Sequence, residues 1–578
     1  MIEDIRLPRA STPEEVGVSS ADVLSFLSEV EEKGLELHGF MVIRNGVVAV
    51  ECFRAPFQGR YNHQMWSVSK SFTATAVGLA IGEDLLTLDT AVAQIFPEYK
   101  PKKNDKNWRN LTIRHLVTMT SGKSPKYLSP KGDKADWIKT YIAAPWYNEP
   151  GREFRYINEN FYMLSAIIRR ITGVTLSEYL TPRLYAPLGI ERAEWETDNK
   201  KNEAGGWGFS AKTEDLAKLI LCYQQGGVFN GKRILDEAWT REASKKQTDC
   251  VGLHSATNHG YGYGFWMNPF ENSYRANGMF SQFGIDFTEQ KGIFVCNAAV
   301  IDEESLHDLV FKYFPKAFKK DGEQAISNEN ALENATASEN GVAGAISNET
   351  NLNGAPASEN DYARELRERI AASMVEPPPL VSARSEFEKS LNGKIIKFKS
   401  NLLLNRVGFP VGALPIIVAA KSAEKQRQIN RVRFDFEDAS ARFSWTEGKQ
   451  KNSVSVGLDG NLRQSEMTLG GITYSVLGSA VWLDEKSLQV SLRAVETIAK
   501  RVFTFRFSGG GKVLMIPDST PAIEGILNFL TEGAVFLFKF KPLLKLIRFV
   551  ISLLPKRIEP AYKGRITVLR VPSGTKVR

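Results

Sequence analysis

Hydrophobic and polar positions follow two different patterns along the chain, and the change falls between residues 320 and 380. Before it, residues 39–43 and 47–53 are apolar or alternating runs around Asn45-Gly46, a pair typical of a tight β-hairpin. Helical spacing predicts helices at 20–30, 68–82, 113–119, 159–171 and 211–225, the last capped by Ser210 or Thr213. Strands are predicted again at 262–267, 281–287 and 292–298. Antiparallel strands from both ends with helices between them predict an α+β fold.

After residue 380 the pattern becomes rich in short strands. They are predicted at 394–399, 431–436, 441–445, 453–458, 472–477, 488–494 and 501–507, with strand-like segments at 512–516 and 566–569. Regular spacing of this kind favours a small β-barrel or sandwich.

A low-complexity segment separates the two halves. Residues 321–360 are rich in Asn, Glu, Ala, Ser and Gly, and AISNEN at 325 recurs as AISNET at 345. Such a composition buries too little apolar surface to order itself. We therefore expect domains at 1–320 and 380–578, joined across 321–379 by an acidic linker and a short helix near residues 362–373 that ends before three prolines.

The charge distribution and the cysteine content argue against some classes of partner and site. The net charge is +8, but 321–360 holds only acidic charges and 361–578 carries about +15, so the first 320 residues are near neutral. The basic half shows no interleaved stacking aromatics, which argues against nucleic acid as a partner. Four separated cysteines without a C-x-x-C pair exclude a disulfide scaffold and a cysteine zinc site.

Ser67 and Lys70 form an S-x-x-K pattern in front of an apolar helix. Residues three apart meet on one helical face, so Lys70 can reach the Ser67 hydroxyl, and the helix N-terminus favours an anionic oxygen nearby. Ser422 with Lys425 and Ser573 with Lys576 share the spacing but are not followed by such a helix.

Tyr156 and Asn158 provide a second polar element, at a predicted junction of loop and helix. An ammonium group near a tyrosine favours the phenolate, so we expect Tyr156 beside Lys70 to ionise more easily and to take the proton of Ser67. No G-x-S-x-G occurs, which disfavours a Ser-His-Asp triad of the α/β-hydrolase kind.

Over roughly residues 10–315 the chain resembles serine hydrolases of the β-lactamase and penicillin-binding-protein type, in particular the class C-like branch of esterases and 6-aminohexanoate-dimer hydrolases. The resemblance rests on MWSVSKSFTA, LTIRHLVTMTSG, EPGREFRYINENFYMLSAIIRRITG, LTPRLYAPLGI and GYGYGFW in that order. It implies a β-lactamase-like antiparallel sheet flanked by helices. It also implies Ser67 as nucleophile, Lys70 and Tyr156 as proton carriers, Asn158 as a substrate contact, and no metal or cofactor.

The family's third element, K-T-G or H-x-G on an edge strand, is matched by residues 276–278, Ala-Asn-Gly. The resemblance implies that Gly278 leaves room for substrate and that the Met279 N–H forms an oxyanion hole with the Ser67 N–H. Ala276 lacks the cation that holds a substrate carboxylate in penicillin-recognising members, and Ser281 stands where a glycine is expected. The missing cation and the A-x-G-M-x-x-Q form resemble the esterase and amide-hydrolase branch, and Ser281 is a departure from that form.

The histidines are interpreted as structural. His254 and His259 lie five residues apart, a spacing that does not place them on one helix face, so they are expected in a loop. His115 is expected to be a histidine at a helix terminus.

The second half resembles the lipocalin-like domain often fused to these hydrolases. Its tail holds amphipathic segments at about 521–556, in which Lys541, Lys545 and Arg548 share a polar stripe. The segment bounded by Pro542 and Pro555, which holds Lys545 and Arg548, is too short to span a bilayer. It is expected to pack on the barrel, the alternative being peripheral contact with an anionic membrane.

These observations predict a serine hydrolase that forms an acyl-enzyme with a small ester or amide. One alternative is a catalytically silent member that binds a ligand or a membrane; another is a D,D-peptidase or β-lactamase. The start of the chain has no apolar signal-like run, so a cytoplasmic location is expected.

Overall fold

The computed structural model divides the chain into two compact units, each described here by itself. The first comprises residues 1–126 and 137–376, and the second residues 127–136 and 377–578. The structure describes residues 2, 5–99, 105–124, 136–250, 258–318, 360–375, 381–399, 429–447, 450–469, 472–520 and 561–567.

A six-stranded antiparallel sheet forms the centre of the first unit, with the strand order β2-β1-β11-β10-β9-β8. Strands from both ends of the unit meet in its middle, as the sequence predicts. The strands described in this unit are β1 (Leu37–Arg44), β2 (Val47–Phe53), β3 (His63–Trp66), β4 (Glu194–Trp195), β5 (Phe209–Ala211), β6 (Val228–Phe229), β7 (Lys232–Arg233), β8 (Trp266–Met267), β9 (Tyr274–Gly278), β10 (Gln282–Phe287) and β11 (Gly292–Ala298).

Helices cover both faces of this sheet. The helices described in the unit are α1 (Ser20–Glu32), α2 (Ser69–Gly82), α3 (Val92–Ile95), α4 (Lys106–Asn110), α5 (Ile113–Val117), α6 (Trp137–Ile142), α7 (Asn158–Thr172), α8 (Leu176–Leu180), α9 (Ala186–Leu188), α10 (Thr213–Gln224), α11 (Glu237–Ala243), α12 (Glu303–Ala317) and α13 (Asp361–Ser373).

One apolar core joins α1 and α12 to the sheet. Phe26 of α1 contacts Phe40, Phe294 and Phe314 edge-on, with ring centroids 5.2 to 5.6 Å apart. Aromatic pairs of this geometry add to the stabilisation that comes from burial alone. The α+β architecture predicted from the sequence is confirmed.

Two local predictions are wrong. The strand predicted at 262–267 is reduced to Trp266–Met267, because Gly264 has a φ of +81° and passes close to the Lys70 carbonyl. The N-cap of α10 is Lys212, neither Ser210 nor Thr213; the Lys212 N–H donates to Asp215 Oδ2 at 3.1 Å.

Helix α13 follows the low-complexity segment and packs on the first unit. Leu366 is 2% exposed and belongs to the core beside α1. Arg369 donates to Ser28 Oγ at 2.8 Å and pairs with Glu31 at 2.6 Å. The first unit therefore includes a helix that lies beyond residue 360 in the chain.

Ten described strands of the second unit form one antiparallel sheet that closes into a barrel through a bridge between Gly457 and Ser479. Buried side chains alternate with exposed ones along its strands, for example in β19, so one face of the sheet forms the interior. The strands are β12 (Ile395–Phe398), β13 (Ile429–Phe436), β14 (Ser440–Glu447), β15 (Gln450–Gly457), β16 (Arg463–Leu469), β17 (Ile472–Asp484), β18 (Ser487–Ala494), β19 (Lys500–Ser508), β20 (Lys512–Thr520) and β21 (Tyr562–Thr567).

A short helix, α14 (Phe387–Leu391), contributes a buried carboxylate to this unit. Glu388 accepts a hydrogen bond from Trp482 Nε1 at 2.6 Å and pairs with Arg384. The predicted barrel is confirmed. The segments at 321–359 and 521–556, with Lys541, Lys545 and Arg548, lie outside the described residues, as do His254, Ser422 and Ser573. None of the helices in the described ranges combines the length and apolar character needed to cross a membrane.

Candidate active site

Ser67 lies in the turn between β3 and α2, two residues before the first residue of the helix. Trp66 has a φ of +49°, an unusual conformation for a large side chain, and it turns the chain sharply at this point. The Lys70 N–H donates to the Ser67 carbonyl at 3.0 Å, which fixes the turn. Ser67 is partly exposed while its neighbours Trp66 and Val68 are buried.

Lys70 is buried, with 1% exposure, and its Nζ donates three hydrogen bonds. The acceptors are Ser67 Oγ at 2.9 Å, Asn158 Oδ1 at 2.8 Å and the Gly206 carbonyl at 2.5 Å. An ammonium group has three donors and no acceptor, so this arrangement satisfies the charged form. The helical spacing of the S-x-x-K pattern thus brings Lys70 to Ser67.

Tyr156 lies in the loop before α7 and hydrogen-bonds Ser67. Its ring stacks on Trp266 at a centroid distance of 5.3 Å, and Lys70 Nζ lies 4.7 Å from the ring centroid on a face of the ring. Burial raises the pKa of Tyr156 well above its ordinary value. The expected direction of this pKa is therefore wrong, because desolvation, the largest effect on Tyr156, favours the neutral phenol.

Gly278, at the end of β9, approaches the Ser67 turn closely. A Cβ added to Gly278 would lie 2.3 Å from the Met65 carbonyl and 3.1 Å from the Ser67 nitrogen. Strand β8 pairs only with Tyr274 and Arg275, so the following residues of β9 form a free edge beside Ser67. Ala276 is fully buried on this edge, and Met279 follows Gly278 at its end.

Several contacts at this site were not predicted from the sequence. Gly206 provides a carbonyl acceptor to Lys70, and a Cβ there would lie 2.4 Å from the Asn158 carbonyl. The cluster of glycines at 205, 206 and 208 was the available signal for such a close approach. Trp266, the stacking partner of Tyr156, lies in GYGYGFW, which carried the resemblance but had no assigned role.

The histidines have structural positions. His115 Nδ1 accepts the Thr112 N–H at 3.1 Å and completes a capping box of α5, so its prediction as a helix-terminal histidine is confirmed. His259 lies in a loop. Within the described ranges, no group of three or more His, Cys, Asp or Glu side chains could hold a metal ion.

Comparison with known proteins places this geometry in a family. Residues 30–297, which contain the Ser67, Lys70, Tyr156 and Gly278 positions, match the family described as Beta-lactamase. This finding agrees with the resemblance predicted from the sequence motifs.

Individual relatives of the β-lactamase family domain are distant. A 6-aminohexanoate-dimer hydrolase from Paenarthrobacter ureafaciens is 27% identical over 251 residues, 40% of this chain and 63% of that protein. Protein flp from Staphylococcus aureus strain MW2 is 27% identical over 164 residues, 27% of this chain and 33% of that protein. The chain thus spans less than two thirds of either relative.

The domain also has solved structural neighbours. A penicillin binding protein from Bacillus halodurans has a TM-score of 0.41 and 18% identity, and covers 50% of this chain and 99% of its own.

Proposed function

We propose that the protein is a serine hydrolase that forms an acyl-enzyme with a small ester or amide through Ser67. The observation that carries the proposal is the hydrogen bond of Lys70 Nζ to Ser67 Oγ, at 2.9 Å, on a partly exposed serine that also bonds Tyr156. A serine hydroxyl becomes a nucleophile when a neighbouring group can accept its proton. In this site both candidates for that role contact Ser67 directly.

In the arrangement described, both Lys70 and Tyr156 carry a proton, so neither can accept the proton of Ser67. Lys70 is hydrogen-bonded as an ammonium, and the raised pKa of Tyr156 keeps the phenol neutral. Loss of one proton from this pair creates the general base, and the remaining proton can move between the two groups through Ser67. We therefore infer that the active form is the singly deprotonated Lys70–Tyr156 pair.

In the proposed reaction, Ser67 Oγ attacks the carbonyl carbon while its proton moves to the deprotonated pair. The pair then returns the proton to the leaving alcohol or amine as that bond breaks. The Ser67 and Met279 N–H groups stabilise the oxyanion of the tetrahedral intermediate. Water, deprotonated by the same pair, releases the acyl group, and Asn158 orients both Lys70 and the substrate.

The buried Ala276 favours substrates without a carboxylate next to the scissile bond. A cation at that position would pair with such a carboxylate, and the Ala276 side chain carries no charge. We therefore place neutral esters and short amides ahead of penicillins and D,D-peptides as substrates.

The first test is covalent labelling of Ser67. A fluorophosphonate should add once to the wild type and not to Ser67→Ala, as measured by intact mass, and turnover of p-nitrophenyl acetate should fall at least a thousandfold in the variant because the nucleophile is lost. Ser422→Ala, the serine of a second S-x-x-K, should match the wild type. Equal labelling of wild type and Ser67→Ala would refute the assignment, and no labelling of either would favour a silent binding protein.

A further inference from the structure

The turn between β9 and β10 is strained and lies beside Ser67. Gly278 pairs with Gln282 across it, and Met279, Phe280 and Ser281 form the loop. Phe280 and Ser281 have φ values of +62° and +64°. Two such residues in succession each cost on the order of 1 kcal/mol, so the turn persists only where its surroundings hold it.

The carbonyl groups of this turn are held by Gln282. Its side-chain amide donates to the Met279 carbonyl at 3.2 Å, the Phe280 carbonyl at 3.0 Å and the Ala298 carbonyl at 2.7 Å. Gln282 is fully buried, so these bonds are protected from water. These bonds do not involve the N–H donors of the turn, which another residue binds.

Glu303, the first residue of α12, holds the N–H side. Its Oε1 accepts the Phe280 N–H at 3.0 Å, and its Oε2 accepts from Asn277 Nδ2 at 3.0 Å. These two donors flank Gly278 and Met279 along the chain. The Glu303 carboxylate thus connects Asn277, which precedes the proposed oxyanion-hole residue Met279, to Phe280, which follows it.

We propose that Glu303 is a positioning residue for the reaction of Ser67. By bridging Asn277 and Phe280, its carboxylate fixes the Met279 N–H relative to the Ser67 N–H. This inference rests on the proposed hydrolase function. It requires both carboxylate oxygens to act as acceptors, and therefore the ionised form of Glu303.

Charged and titratable groups surround Glu303 on every side. Arg275 of β9 favours the carboxylate and the neighbouring Asp302 opposes it. Glu303 in turn raises the pKa of Tyr156. His307, one turn further along α12, hydrogen-bonds Asn277 Oδ1 at 2.9 Å, and burial holds its pKa well below the ordinary value, so it stays neutral.

The hydrogen bonds that Glu303 accepts from Asn277 and Phe280 should therefore depend on pH. Burial raises the pKa of Glu303 to about 7. The ionised form prevails above that pH, and protonation as the pH falls turns one oxygen into a donor that opposes Phe280 N–H or Asn277 Nδ2. The turn should therefore loosen below about pH 7.

The test compares Glu303→Gln with Glu304→Gln in the full chain. Glu304 is the next residue of α12 and is exposed. Glu304→Gln therefore removes the same charge without changing a contact of the turn. With p-nitrophenyl acetate from pH 5.5 to 9, we expect kcat of Glu303→Gln to fall about tenfold with KM within twofold. The loss should appear in kcat because acylation and deacylation both pass through an oxyanion. Glu304→Gln should match the wild type.

The pH profile separates positioning from mere stability. Both proteins share the pH dependence of the Lys70–Tyr156 pair, and the wild type should show in addition an acid step in kcat near pH 7 that Glu303→Gln lacks. If Glu303→Gln does not fold, Glu303→Asp carries the test, and a lower kcat with the acid step retained supports the proposal. Wild-type kcat and an unchanged profile in the folded variant would overturn it. Absence of Ser67-dependent turnover in the wild type would instead overturn the proposed function.

Discussion

At the scale of single residues, the site depends on a few very close approaches. Gly278 lies against the Ser67 turn with no room for a side chain, and Gly206 lies equally close to Asn158. Lys70 is buried and satisfied as an ammonium by three acceptors. The chemistry therefore depends on backbone spacing as much as on the reactive groups.

Gly278→Ala tests this dependence. The new Cβ would meet the Met65 carbonyl at 2.3 Å, and since that atom is backbone, the strand or the Ser67 turn must move. We expect fluorophosphonate labelling of Ser67 to slow at least tenfold, measured as a second-order rate constant. Gly82→Ala is the control, because the nearest atom there is the end of the Asp236 side chain at 3.1 Å. Equal rates in Gly278→Ala and wild type would contradict the described geometry.

The residue scale also shows what the sequence could and could not predict. Ser67 and Lys70 were predicted because their contact is local and follows from helical spacing. The hydrogen bonds that Glu303 accepts from Phe280 and Asn277 were missed because they join residues 23 and 26 positions apart in the chain. Residue spacing does not show which distant residues the fold brings together. The direction of the Tyr156 pKa was wrong because a sequence shows a neighbouring charge but not the depth of burial.

At the scale of elements, prediction succeeded where a pattern is strong and local. The hairpin around Asn45-Gly46 forms as expected, with positive φ at both residues, and β11 has the predicted bounds. Strand β16 was missed because Met467 is its single large buried apolar side chain among those described. Short strands with polar faces carry little signal in a single sequence.

Helix α13 gives a prediction at this scale. Leu366 is 2% exposed in the core of the first unit, so Leu366→Ala removes buried apolar contacts and should destabilise that unit by about 2 to 4 kcal/mol. Tyr362→Ala is the control on the same helix, since Tyr362 is 56% exposed. Thermal unfolding should show a lower Tm for the Leu366 variant alone. An unchanged Tm would mean that the helix does not stabilise the unit.

At the scale of the whole molecule, the positive charge and the candidate site fall in different parts of the sequence. Residues 361–578 carry about +15, while the β-lactamase family domain lies in a nearly neutral part of the chain. Composition alone thus separates the part of the chain that holds the candidate site from a basic part. Packing of the segment with Lys541, Lys545 and Arg548 on the barrel stays the prediction and membrane contact its alternative, since these residues lie outside the described ranges.

Vesicle co-sedimentation decides between the two. Packing on the barrel predicts no binding that depends on Lys545 and Arg548. Membrane contact predicts that the wild type binds vesicles that contain phosphatidylserine and releases them at high salt, because each basic residue near such a surface contributes about 1 kcal/mol. The double variant Lys545→Glu with Arg548→Glu should lose at least tenfold in affinity. Arg442→Glu with Lys451→Glu reverses two exposed barrel charges and serves as control. Equal binding by both double variants would show that total charge alone is responsible.

The place of α13 in the first unit has a consequence for the repeated sequence. Residues 318 and 360, on either side of the repeats, both belong to the first unit. A gain or loss of one 20-residue repeat would therefore change the length of a connection between two parts of the same unit. The length of chain between α13 and β12, which leads into the barrel, would stay the same.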